Sequence, residues 1–147
     1  MRYHGPGSPG GVAIAFKVLE RALPLLGGGE PCERRAITIT TAFGGPGARD
    51  GFELATRAVT DGRYVVDSAL RRPERGTALE RFVFRLGYHE HELELVLRDG
   101  FVTGEFAALA FASARSAAQE ERLTVLKREL AERVMAAAAA DVIAVER

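Results

Sequence analysis

Between positions 82 and 97 the chain alternates apolar and polar residues twice over, with Phe82, Phe84 and Leu86 in the first run and Leu93, Leu95 and Leu97 in the second. A period of two puts alternate side chains on one side of an extended strand, so both runs predict strands with one apolar face. The link from Gly87 to His91 reads as the hairpin turn between them. Arg81 or Arg85 is then expected to face Glu92 or Glu94 across the antiparallel ladder. Ala36 to Thr41 alternates Ile with Thr and predicts another strand, Arg63 to Asp67 a shorter one, and Asp141 to Val145 a last one.

Helical spacing fills most of the remainder. Val12, Ala15, Phe16, Leu19, Ala22, Leu23 and Leu26 recur on one side of a first helix, which Pro24 and the run Gly27 to Gly29 are expected to stop. A second helix carries Phe52, Ala55, Thr56 and Val59 and is expected to close at Asp61 and Gly62. Ser116 to Gln119 fits a capping box, and Leu123, Leu126, Leu130 and Val134 form the apolar stripe of a long helix that the alanines after Met135 extend. Phe106, Leu109 and Ala110 share one helical face in a segment of mixed pattern. Arg71, Arg72 and Arg75, interrupted by Pro73 and Gly76, read as a solvated basic loop. The expected fold is α+β, an antiparallel or mixed sheet packed by helices, with a long C-terminal helix, and residues 1–147 form one domain.

Composition narrows the partners. Twenty Lys and Arg balance twenty Asp and Glu, so no overall field draws the chain to nucleic acid or to an anionic membrane. The longest apolar stretch is broken by Lys17, Glu20 and Arg21, and no signal peptide or membrane span is read. One cysteine, Cys32, suits a reducing compartment, and the cytoplasm is the expected location.

Chemistry concentrates in two glycine-rich segments. Met1 to Gly11 and Phe43 to Gly47 each run straight into a helix, where backbone N–H groups and the helix dipole suit an anion. On one sheet the two loops would face one cleft; a plain flexible terminus is the alternative for the first. His4 lies in the opening segment, while His89 and His91 share one face of an extended chain and would either chelate a metal or stay solvated. Ser8 and Cys32 are the candidate nucleophiles, and neither stands beside an obvious base.

His4 to Gly10 followed by an apolar helix resembles the H-G-H-x-C-P-G opening of the FmdE family, which takes its name from a component of formylmethanofuran dehydrogenase; His4, Gly5, Pro9 and Gly10 match. Gly47 to Glu53 is similar to that family's C-x-x-D-x-I-Q stretch, and Asp50 and Gly62 are retained. The strand pair and the final long helix follow the family's order. Pro6 stands for its second histidine, however, and Ser8, Gly47 and Ala58 stand where it carries cysteines. The resemblance implies an accessory binding domain rather than a catalyst, with a pocket for a small anionic ligand formed by His4, Gly5, Ser8, Gly10, Gly47 and Asp50. It implies at most a divalent metal ion on His4 and Asp50, with His89 and His91 as further candidates, and not a thiolate zinc site. The enzymatic alternative makes His4 a general base oriented by Asp50. The third alternative is a non-catalytic interaction protein. A homodimer is expected through the small residues Ala107, Ala108, Ala110, Ala112, Ala114, Ala117 and Ala118.

Overall fold

The computed structural model describes residues 8–146. Its five strands are β1 (Ile37–Thr41), β2 (Tyr64–Val66), β3 (Val83–Tyr88), β4 (His91–Leu97) and β5 (Ile143–Glu146), in the order β2-β1-β3-β4-β5. Only β1 and β2 run parallel; the other pairs are antiparallel. The helices are α1 (Pro9–Leu26), α2 (Pro46–Thr56), α3 (Gly104–Ala110), α4 (Ala117–Ala136) and α5 (Ala139–Val142). The fold is therefore α+β, with α2 as the crossover between the two parallel strands.

The hairpin has the expected register, Phe84 opposite Leu95 and Arg85 opposite Glu94. Phe84 and Leu95 are fully buried. Arg85 lies within salt-bridge reach of Glu92 and Glu94 on the other face. The turn is tighter than Gly87 to His91: the ladder continues to Tyr88 and His91, leaving His89 and Glu90 as the turn, with His89 in the left-handed region at φ 54°. Arg81 precedes the strand and takes no part in this ladder.

The second face of the sheet is not bare. Arg72 donates to Glu94 and to Glu146, two carboxylates that stand directly opposite each other on β4 and β5, and Arg75 donates to the Leu97 carbonyl. Like charges paired across a ladder repel, so the cation between them turns a liability into a tether. The basic segment is thus a strap over the sheet rather than a solvated loop, although Arg71 is exposed.

Helix boundaries differ from expectation where packing overrides local preference. Pro24 lies inside α1, which runs on to Leu26, because buried Ala22 and Leu26 hold the last turn to the core. α2 ends at Thr56, with Arg57 left-handed at φ 57°, and not at Gly62. Buried Glu53 accepts the N–H groups of Val59 and Thr60 at 3.1 Å each, which organises the turn that follows. α4 carries the expected stripe and capping box but stops at Ala136, since Ala137 is extended and buried Ala139 and Val142 redirect the chain into β5. The alanines expected to form one dimer face are divided: Ala107 is buried within this chain, Ala110 is half-buried, and residues 112–116 are not helical.

Three helices lie side by side on the core face, α1 between α2 and α4. The glycine pair at its start serves this arrangement. A Cβ on Gly10 would sit 2.8 Å from Leu130 of α4, and one on Gly11 would sit 2.7 Å from the Ala48 nitrogen of α2. From α2, Gly47 faces Ser8 and Gly51 faces Ala15 in the same way.

Phe84 packs against Phe52 with ring centroids 5.9 Å apart and belongs to the central cluster. Phe84→Ala should lower unfolding free energy by about 3–5 kcal/mol in chemical denaturation, as buried aromatic truncations do. An unchanged denaturation midpoint would contradict the burial assigned to it.

Candidate functional site

Where β1 ends, the Thr41 hydroxyl donates to the Val83 carbonyl at 2.7 Å and accepts the Phe43 N–H at 3.0 Å. That pair of hydrogen bonds turns the chain out of the sheet and into the Gly44–Gly45 loop that starts α2. Above this loop lies a cleft of about 550 Å³, lined by residues of the α2 entry, by Ser8 and Gly11 of the α1 entry, and by side chains from α3 and α4. The volume falls within the usual range for small-molecule sites.

The charges of the lining are one-sided. Arg81, Arg115 and Lys127 contribute cations, and among the described residues no Asp or Glu lines the cleft. Both helices that open on it lack a side-chain cap and an acidic residue in the first turn. By contrast α3 and α4 are capped by Thr103 and Ser116 and carry Glu105 and Glu120 in their first turns. An uncapped helix N-terminus presents unsatisfied N–H donors and roughly half a positive charge. Two of them beside three cations make the cleft a region of positive potential.

Each cation is held differently. Arg81 lies over the Phe111 ring at 4.2 Å and makes no ion pair among the described residues. Arg115 donates to the carbonyls of Leu109 and Ala112 and to Glu120 at 2.8 Å, so it ties the α3–α4 link while part of its charge is offset. Lys127 donates to the Ser8 hydroxyl at 3.4 Å. Burial draws the Lys127 pKa below the ordinary lysine value, with the Arg115 charge adding to the effect and Glu120 opposing it.

Of the expected ligand residues, Ser8 and Gly47 line the cleft and touch each other. Gly10 does not line it; it is consumed by the approach to α4. Asp50 is buried on α2 but is not part of the wall. His4 and Gly5 lie outside the described residues, and with them the general-base arrangement of His4 and Asp50. His89 and His91 are exposed at the hairpin turn, at the end of the sheet where Ile37 pairs with Tyr88, whereas the cleft lies where Thr41 pairs with Phe84. Those ends are four residues apart, roughly 13 Å at strand rise. The two histidines are also not on one face of an extended chain, because His89 occupies the turn. Among the described residues no group of three or more His, Cys, Asp or Glu converges, so Asp50, His89 and His91 do not fit a shared metal ion. Cys32 points its thiol to the Leu23 carbonyl, and burial pushes its pKa up, which disfavours the nucleophilic thiolate.

Arg81, Arg115, Lys127, Phe106 and Phe111 were not among the expected site residues. One signal for Lys127 was present: it falls four after Leu123 and three before Leu130, hence on the buried side of α4.

Because the folded Lys127 pKa is lowered, the unfolded chain binds more protons at this residue between that pKa and the ordinary value of 10.5, so the contribution of Lys127 to ligand-free stability should rise with pH across this window. Burial raises the Cys32 and Tyr64 pKa values and acts in the opposite direction at alkaline pH, so the Lys127 effect is read as the difference between wild type and Lys127→Met. Anion affinity should fall over the same window as the ammonium is lost. The stability of the wild type relative to Lys127→Met should rise with pH, and the variant should lose the fall in affinity; a difference that does not change with pH would contradict the assignment. Comparison with protein-family models, with curated proteins and with solved structures finds no match for this chain.

Proposed function

We propose that this chain is a small-molecule binding module, closer to an accessory component than to a catalyst, whose cleft takes a small anionic ligand. The observation that carries the reading is the cleft itself: among the described residues, three cations and two uncapped helix entries around about 550 Å³ with no carboxylate in the wall. Favourable binding of an anion there needs no rearrangement of the fold, since N–H donors and cations are already held in place by packing. The described residues support binding better than turnover. Ser8 receives a hydrogen bond from Lys127, and no His, Asp or Glu among the described residues lines the cleft to act as an acid or a base.

A ligand that binds only the folded state raises its stability, by about 2.7 kcal/mol at a hundredfold excess over Kd. Thermal shift across a panel of small organic and inorganic anions should therefore find at least one that raises the melting temperature of the wild type. Lys127→Glu reverses one charge in the wall and should abolish that shift. A panel with no stabilising anion, or an equal shift in Lys127→Glu, would overturn the reading.

A further inference from the structure

We infer that the ligand of the cleft is an amphiphilic monoanion, an aryl or branched-acyl carboxylate, rather than an inorganic anion or a nucleotide. This rests on the anion-binding reading above and adds to it the chemistry of the ligand's body. A cleft of about 550 Å³ is many times the roughly 30 Å³ that a water molecule occupies in the liquid, so a bare phosphate or carboxylate would leave most of it wet. Much of the remaining side-chain wall is apolar. Phe43, Val66, Phe106, Ala110, Phe111 and Leu123 line it, and burying an apolar body against them is favourable in proportion to the area covered.

The aromatic walls are braced. Phe43 stacks on Phe82 with ring centroids 4.4 Å apart, and the Arg81 guanidinium covers Phe111 at 4.2 Å. A flat body can lie against such fixed rings, and a planar guanidinium at the edge of the same wall suits a carboxylate head. A second, smaller cleft of about 340 Å³ shares Arg81 and Phe111, so this pair lies between the two spaces.

Charge and hydrogen bonding argue against nucleotides. A base edge needs matched donors and acceptors when buried, or it loses the bonds it made to water. Among the described residues, the side chains of the wall offer none beyond the three cations and the Ser8 hydroxyl, and the backbone groups of the two helix entries suit an anion rather than a base edge. A polyphosphate also carries several charges. Here Glu120 offsets part of Arg115, which suits one negative charge better than three or four.

Isothermal titration with four probes separates the possibilities: naphthalene-2-carboxylate, the neutral naphthalene-2-methanol, inorganic phosphate and ATP. The carboxylate should bind at least about tenfold more tightly than each of the others, a difference of about 1.4 kcal/mol. Phe111→Ala, checked for fold by circular dichroism, should weaken the carboxylate by about tenfold and leave phosphate unchanged. Phe111→Leu keeps apolar bulk without the ring and should weaken it as well, which guards against a misfolded alanine variant. Phosphate or ATP binding as tightly as the carboxylate would overturn this inference and leave the anion-binding reading standing. The neutral alcohol binding as tightly as the carboxylate would overturn both, and so would binding of none of the four.

Discussion

A methyl group placed on Gly47 would fall 2.3 Å from the carbonyl oxygen of Ser8, and one on Gly51 would fall 2.8 Å from the Ala15 methyl. The first contact is with backbone, which has little room to yield, so α1 and α2 cross at a distance that only glycine permits there. Gly10 and Gly11 extend the same condition to α4 and α2. The glycine-lined side of the cleft follows from that crossing. It brings the α1 entry against the α2 entry, sets Ser8 beside Gly47, and lets α4 come near enough for Lys127 to reach Ser8. Larger residues would separate the helices, and the two N-termini would open onto solvent independently.

Convergence of two helix entries has an electrostatic consequence that the rest of the chain accommodates. Their unsatisfied N–H groups and dipoles point the same sign into one space, and neither is relieved by a cap or a first-turn acid. The cations nearby add to this field, each at some cost of desolvation. Arg81 meets that cost by spreading over an aromatic face, Arg115 by donating to two backbone carbonyls and one carboxylate. At other places opposite charges meet closely: Arg35 and Arg63 hold the Asp61 carboxyl pKa at about 2, and Arg72 bridges Glu94 and Glu146.

Much of the fold was legible in residue order, for local reasons. The period of two around Phe84 and Leu95 specified a register that one buried face enforces, and Ser116 with Gln119 marked a helix start through bonds made within one turn. What was not legible depends on contacts between distant segments. Nothing near Ala137 announces a break; the need to place Val142 and Ile143 in the core makes it. Nothing near Arg72 shows that Glu94 and Glu146 will be paired beneath it. At the site, the two glycine-rich loops were visible as helix entries, and Ser8 and Gly47 do meet. The cations and aromatic residues of the other wall come from positions 81, 106, 111, 115 and 127, brought in by the sheet and by α3 and α4. Gly10, read as part of a ligand loop, is instead a packing position.

Ser8 and Gly47 touch, and their adjacency has a limit built into it. Any side chain at position 47 would meet the Ser8 carbonyl, so a cysteine could not be placed there without moving α1. The account thus turns on a single contact between helix entries. Assigned NOESY spectra of the ligand-free protein test it most directly. Cross-peaks between the Ser8 β-protons and the Gly47 α-protons, and between the Ala15 methyl and the Gly51 α-protons, are the predicted result. Their absence, with all four groups assigned and resolved, would show that the helices do not cross at these glycines.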